Sequence, residues 1–332
     1  MLKNYFKNLL KFIKGKRILI TTHDLVDIDG LASCFTLKSF LNNYFKNQEI
    51  FIYFSNLSRP AQNFLDKFSN KFPNFSISYK NKVNFSLIDI IIILDTNNLN
   101  QVKFNNNQNV MELAIPTVFI DHHYVVRKPI LDTPNLIFEN YSSTAEIILE
   151  LFENYKIPLS IPLKILLISA IITDSGFFKH SNNQTFHNVS KLLKNGIIFD
   201  EILFLLRNDI DISEKIANIK GMKRVELIRK NNYLIGVSKV SSYGASVASM
   251  LLKLGFDIAI VYSKELNQYK VNTRATNIVC IETGLNLARI LEEISVQYNG
   301  NGGGHDGAAA LDINIESGFS IKEIIERIKE YL

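Results

Sequence analysis

Residues 17–31 read RILITTHDLVDIDGL, and their reading decides the fold. Arg17–Thr22 is a short run of apolar and β-branched residues, and Leu31–Leu41 follows a helical pattern. A polar loop carrying His23, Asp27 and Asp29 lies between them. Strand, loop and helix in that order open an α/β domain. The same grammar returns at Ile50–Phe54, at Leu87–Leu94 (LIDIIIIL) and at Thr117–Ile120 (TVFI). Such short runs, with little polar alternation, suit a parallel sheet buried on both faces.

Open α/β sheets gather ligands beyond the carboxyl ends of their strands. Three expected strand ends here carry acidic or imidazole residues: His23, Asp27 and Asp29 after the first, Asp95 after the third, and Asp121, His122 and His123 after the fourth. A further carboxylate, Asp174, closes the apolar segment Ile165–Thr173 and precedes the Ser175-Gly176 turn. Singly, each has a plainer reading. Asp24 and Asp29 could be helix N-caps, Asp95 a loop cap, and His180 and His187 solvated surface residues. We keep the plainer reading for His180 and His187 only. Convergence at several strand ends argues for a metal site, because two divalent cations need several carboxylates, one able to bridge, plus imidazoles. Aspartate and histidine without cysteine favour manganese or a similar ion over structural zinc. Ser143 and Glu146 in SSTAE have capping-box spacing and predict a helix start of structural importance.

At 332 residues the chain exceeds what one core usually organises, so two domains are expected. Hydrophobic residues at 47% and charged residues at 21% are ordinary for a globular protein and exclude a disordered or collagen-like chain. The net charge of +5 and pI near 8.9 lean weakly toward an acidic partner such as a phosphate or nucleotide. Cys34 and Cys280 are far apart and lack CxxC spacing. A disulfide framework is not expected, and a reducing, cytoplasmic setting fits best. Met1–Arg17 interleaves lysines with apolar residues at helical spacing. It could graze an anionic membrane, but a helix packed on its own domain is preferred, since a strand follows at once. Leu87–Leu94 and Ile165–Ile172 are too short to cross a bilayer, so no membrane partner is expected.

Residues 191–223 read as helices, with a boundary near Gly221. Beyond it, Tyr233–Val240 is expected as a strand, Ser246–Leu254 as a helix, Ile258–Tyr262 and Tyr269–Arg274 as a hairpin-like pair, and Leu285–Val296 as a helix. A glycine cluster, a strand at Ala308–Ile315 and a helix from Ile321 complete the reading. The expected division is a catalytic domain at 1–195, a helical linker at 196–224 and a substrate-binding domain at 225–332. There are no repeats, only Asn-rich loops such as Asn105–Asn109. The cluster GNGGGHDGAAA at 300–310 could let backbone amides approach a phosphate as a nest does, with His305 donating to an oxygen; the plainer reading is a flexible turn. Arg274 could fork onto the same phosphate, or make a surface salt bridge.

These residues resemble the DHH phosphoesterase family. HDLVDIDG at 23–30 is similar to its first motif, LDT at 94–96 to its second, IDHH at 120–123 to its third and TDSG at 173–176 to its fourth. The glycine run at 300–310 resembles the signature of the DHH-associated domain. The resemblance implies a Rossmann-like, mainly parallel N-terminal domain, a smaller α/β C-terminal domain and an active site in the cleft between them. It also implies two divalent cations, manganese first, with magnesium or cobalt as alternatives. His23, Asp27 and Asp95 would hold one, and Asp29, Asp95, His122 and Asp174 the other, with Asp95 bridging and a metal-bridged water as nucleophile. His123 would face the scissile phosphate, Asp121 would orient the histidines, and Arg274 and His305, with Gly302, Gly303 and Gly304, would grip a substrate phosphate. Asn301 departs from the commoner glycine and Ala310 from another, so the detailed shape of the grip stays open.

The function expected from this resemblance is hydrolysis of short oligoribonucleotides, or of cyclic or linear dinucleotides such as cyclic di-AMP and pApA, to mononucleotides. The neighbouring alternatives are a pAp 3′-phosphatase and a RecJ-like exonuclease on single strands, the latter left little room by the short C-terminal domain. Pyrophosphatase or polyphosphatase activity is disfavoured, because those relatives carry a different C-terminal domain. A non-catalytic nucleotide-binding module is the alternative of another class, and the complete ligand set argues against it. A homodimer through the N-terminal domain is compatible with the sequence.

Overall fold

A computed structural model describes residues 2–104, 110–124, 133–194, 196–207, 210–265 and 267–332; the Asn-rich loop Asn105–Asn109 lies outside them. The chain divides into two compact units, Met1–Asn208 and Asp209–Leu332. That division falls within the stretch 196–224 read as a helical linker.

The first unit runs α1 (Leu2–Ile13), β1 (Ile18–Thr21), β2 (Leu25–Val26), α2 (Ile28–Tyr44), β3 (Ile50–Ile52), β4 (Asn56–Leu57), α3 (Arg59–Lys71), β5 (Ile90–Leu94), β6 (Thr117–Asp121), β7 (Leu136–Ile137), α4 (Thr144–Tyr155), α5 (Ile161–Asp174), α6 (Asn183–Leu192) and α7 (Phe199–Leu206). Five of the strands form a parallel sheet in the order β3-β1-β5-β6-β7, and β2 and β4 pair separately. β1, β5 and β6 are buried at every position, as continuous apolar runs require. Their side chains alternate between faces. Ile18, Ile20, Ile90, Ile92, Val118 and Ile120 join the large core built by the helices. Leu19, Ile91, Ile93 and Phe119 join a second cluster with Tyr53, Val102 and Phe104. Helices therefore gather on one face, and the other is closed largely by the segment after β5. Each fully buried isoleucine or leucine contributes about 1.5–3 kcal/mol of transfer free energy.

Local chemistry sets the helix starts. Asp27, in extended conformation, caps α2, its side chain accepting from the Gly30 amide at 2.9 Å. α2 is apolar nearly all round and buried over most of its length, as a central core helix must be. Ser143 caps α4 by accepting from the Glu146 amide. The reciprocal half of the expected capping box is missing: the Glu146 carboxylate instead accepts from the Ser142 amide and hydroxyl and from Asn188. α1 buries Phe6, Leu9, Leu10 and Ile13 in its own unit.

The second unit runs α8 (Ile212–Lys223), β8 (Glu226–Lys230), β9 (Tyr233–Lys239), α9 (Gly244–Lys253), β10 (Ile258–Glu265), β11 (Gln268–Ala275), α10 (Asn277–Thr283), α11 (Leu287–Gln297), β12 (Asn301–His305), β13 (Ala308–Asn314) and α12 (Ile321–Lys329). Its sheet has the order β12-β13-β11-β10-β9-β8 and is antiparallel except between β9 and β10. Ile258 and Ile260 face a core shared with α11 and α12, and Ala259 and Val261 face one shared with α8 and α9. The glycine cluster is thus an edge strand rather than a free turn. No helix among the described residues is long and apolar enough to cross a membrane.

Candidate metal centre

The centre is assembled from the carboxyl ends of β1, β5 and β6, the first residues of α2, and the last residue of α5. Asp95 stands in the middle. It follows β5 in the left-handed region, at φ 59°, where aspartate is tolerated better than most residues, and is 2% exposed. Its Oδ2 lies 3.7 Å from His23 Nε2, and its Oδ1 lies 3.5 Å from His122 Nε2 and accepts from the Thr144 hydroxyl at 3.1 Å. The two oxygens of one carboxylate thus address two different imidazoles. Burial works against the ionised form of Asp95, but His122 and His23 prevail and hold its pKa below the usual carboxylate range.

His23 also lies 3.6 Å from Asp27 Oδ1. Burial disfavours its imidazolium, yet Asp27 and Asp95 outweigh that and raise its pKa to about 10. Asp29 is 1% exposed, and the start of α4 holds its carboxylate: Thr144 N donates to Oδ2 at 2.7 Å and Ala145 N to Oδ1 at 3.0 Å, with the Ser33 hydroxyl at 3.1 Å. Helix N-termini favour such an anion. Burial, then repulsion from Asp95 and Asp174, nevertheless pushes the Asp29 pKa well up.

His122 Nδ1 lies 3.3 Å from the Tyr141 carbonyl, which can only accept, so Nδ1 donates and Nε2 is left facing inward. That Nε2 is 2.9 Å from Asp174 Oδ2. The distance is that of an ion pair, but both atoms are buried and neither completes a hydrogen bond of acceptable angle. A carboxylate oxygen aimed at an imidazole lone pair needs a positive charge between them. In the metal-free protein a proton supplies it: burial opposes the imidazolium, but Asp174 and Asp95 lift the His122 pKa to about 11. Burial also pushes Asp174 up, against the pull of His122. A divalent cation would serve the same two atoms.

Three overlapping sets of potential ligand atoms, each within 4.8 Å of one another, result: His23, Asp27 and Asp95; Asp29, His122 and Asp174; and Asp95, Asp121, His122 and His123. This oxygen-and-imidazole donor set fits hard or borderline divalent cations. His123 Nδ1 donates to Asp121 Oδ1 at 2.8 Å, chiefly for which reason its pKa is raised, and its ring is half exposed. Asp121 is fully buried. Asn97 donates to its other oxygen at 2.7 Å and to the His123 carbonyl at 3.1 Å, pinning this corner. Asn97, Thr144 and the Tyr141 carbonyl escaped the sequence reading. Asn97 alone left a trace, standing two residues after Asp95. Of the plainer readings, Asp24 is held by the Ser55 hydroxyl and by Lys103, and His180 and His187 are exposed.

In the second unit, His305 and Arg274 both pair in register with Ala308, from either side of β13, so they share one row and one face. They border a cavity of about 720 Å³ with Lys253 and Asn277. Arg274 has no ion-pair partner among the described residues. Gly302 and Gly304 have reasons inside the fold. A Cβ at Gly302 would meet the Leu291 carbonyl at 2.6 Å, and one at Gly304, whose φ is 150°, would meet the Ala308 carbonyl at 2.3 Å. Gly303 has no such constraint, its nearest neighbour being the Glu292 carboxylate at 3.7 Å.

Residues 17–171 match the model of the DHH family, N-terminal domain, and residues 213–332 match the DHHA1 domain. The chain carries a DHH domain, the mark of the DHH family. Members of that family are metal-dependent phosphoesterases, and this DHH chain carries the DHHA1 domain as its second unit. It is similar to an uncharacterized protein of Methanocaldococcus jannaschii, MJ0988, with 28% identity over 96% of this chain and 94% of that one. An uncharacterized Mycoplasma genitalium protein, MG371, is 28% identical over 59% of this chain and 56% of its own length. In fold it resembles a crystal structure of an exopolyphosphatase-related protein from Bacteroides fragilis, with a TM-score of 0.68 and 16% identity over 99% of this chain and 95% of that one.

Proposed function

We propose that this DHH-family chain hydrolyses short oligoribonucleotides or cyclic and linear dinucleotides, such as cyclic di-AMP and pApA, to mononucleotides with two manganese ions. The observation that carries the reading is Asp95, whose two oxygens address His23 on one side and His122 on the other, as a bridging carboxylate must. His23, Asp27 and Asp95 would hold one cation, and Asp29, Asp95, His122 and Asp174 the second. Such a pair lowers the pKa of water and neutralises charge on a phosphoryl oxygen. The chain's own groups do the rest. His123, its Nδ1 committed to Asp121, presents Nε2 toward the scissile phosphate. Arg274 and His305, in one row beside the Gly302–Gly304 strand, take a further substrate phosphate through charge-assisted hydrogen bonds. A second reading, a pAp 3′-phosphatase, is favoured by the same row, since a terminal phosphate would meet it equally well. The test compares pApA, cyclic di-AMP, longer RNA and pAp at equal concentration with manganese, following released mononucleotide and phosphate. Fastest release from pApA is expected; no mononucleotide from either dinucleotide would sink the proposal.

A further inference from the structure

Beyond its ligand side chains, the metal centre opens into a cavity of about 690 Å³ whose remaining wall belongs to no step described above. Tyr124 and Leu25 border it, and both are conspicuously exposed, at 73% and 62%. One exposed apolar side chain is unremarkable; two on the same cavity as a phosphate-facing imidazole are not. Tyr124 directly follows His123, so its ring stands within one residue of the group that faces the scissile phosphate. Its backbone is tied to Asn97, the carbonyl accepting at 3.4 Å, while its ring makes no aromatic contact among the described residues.

The wall's charge decides what it takes. Its cation, Lys103, is paired with Asp24 at 3.0 Å, so the wall is close to neutral and ill-suited to a second phosphate. Asn98 and Asn100 also border the cavity and are exposed. The Asn98 side-chain oxygen Oδ1 accepts from the Asn100 backbone amide at 3.1 Å, and its NH2 group has no hydrogen-bond partner among the described residues. A flat ligand with apolar faces and a polar edge matches such a surface.

We propose that this wall is a nucleobase subsite, with Tyr124 stacking on the base next to the scissile phosphate and Asn98 and Asn100 meeting its polar edge. The inference rests on the nucleotide reading above and names where a base would lie. Stacking accepts any base, so the subsite would select for a base as such more than for its identity.

The test is fluorescence titration of full-length protein with 2-aminopurine riboside 5′-monophosphate and magnesium, for the wild type, Tyr124→Ala and Tyr124→Phe. Stacking on the ring should quench the probe. Tyr124→Ala should weaken binding about tenfold and remove the quench, and Tyr124→Phe should retain both. Circular dichroism of each variant should match the wild type, because the ring is exposed. Unquenched wild-type binding, equal affinity in Tyr124→Ala, or loss in Tyr124→Phe as large as in the alanine variant would overturn the subsite. Failure of the hydrolysis panel with quenched, Tyr124-dependent binding would remove the hydrolytic reading and leave the subsite standing.

Discussion

The two sets of functional groups are built on opposite plans. In the first unit, Asp29, Asp95 and Asp121 are almost wholly buried, and each carboxylate is fixed by backbone amides, a hydroxyl or a carboxamide. In the second, Arg274 and His305 are presented by ladder register, Arg274 half-buried and His305 exposed. Buried charge is costly unless compensated, so the first plan couples chemistry to stability; the second separates them. Substitution can break or sharpen that contrast.

The largest effect is expected at Asp95. Asp95→Asn keeps a residue at ease in the left-handed region, so the fold should persist. Turnover and cation stoichiometry, followed by product release and calorimetric titration, should still collapse. The loss should exceed the roughly hundredfold typical of outer-shell partners. Near-normal turnover would remove Asp95 from the centre. Arg274→Ala should act on the other plan: KM for pApA rises about tenfold, in line with one lost charge-assisted hydrogen bond, with an unchanged melting temperature. A large loss of stability there would erase the contrast.

The glycine run offers a finer division. Gly304→Ala should destabilise the protein by about 1–3 kcal/mol in urea unfolding, because its φ and the nearby Ala308 carbonyl leave no room for a Cβ. Gly303→Ala should leave stability within about 0.5 kcal/mol. Any rise in KM for Gly303→Ala then reports on phosphate approach rather than on folding.

The smallest effect concerns pH. His23 and His122 have folded-state pKa values raised to about 10 and about 11, above the ordinary imidazole value near 6.5. Their charged contacts are fully present below about pH 6.5 and are lost as pH climbs through 10 to 11. The melting temperature of chelator-treated protein should fall gradually across that window. Cation affinity should move the other way, since ligation requires neutral imidazole. A metal-free melting temperature that rises between pH 7 and 10 would contradict the imidazolium–carboxylate pairing.

Much of the fold was legible because long apolar runs leave little choice. β1, β5 and β6 lie where their β-branched runs stand, β9 and β10 lie on apolar runs, and β11 and β13 follow alternating patterns. The two-residue strands β2, β4 and β7 carry no period to read. β12 was hidden differently: glycine disfavours strands, and the run is extended because β13 pairs with it, with no room for a side chain at Gly302 against α11 or at Gly304 against β13. In the candidate centre, the acidic and imidazole residues were readable by type and spacing. Their supports were not. Thr144 stands far from Asp29 and Asp95 in sequence, as Tyr141 does from His122, and only packing of α2 against α4 reveals that one helix start holds a carboxylate from another segment. Asp29 looked like a local cap for α2; Asp27 takes that role, and Asp29 serves α4 instead.

The grip of the α4 amides on Asp29 makes the candidate centre a property of the finished packing of the first unit. Asp29 and Thr144 meet across 115 positions of sequence, and His122 and Asp174 arrive from still other segments. A half-collapsed chain therefore holds only local fragments of the cluster, such as His23 beside Asp27, and a cation drawing on all of these segments would need the packed unit.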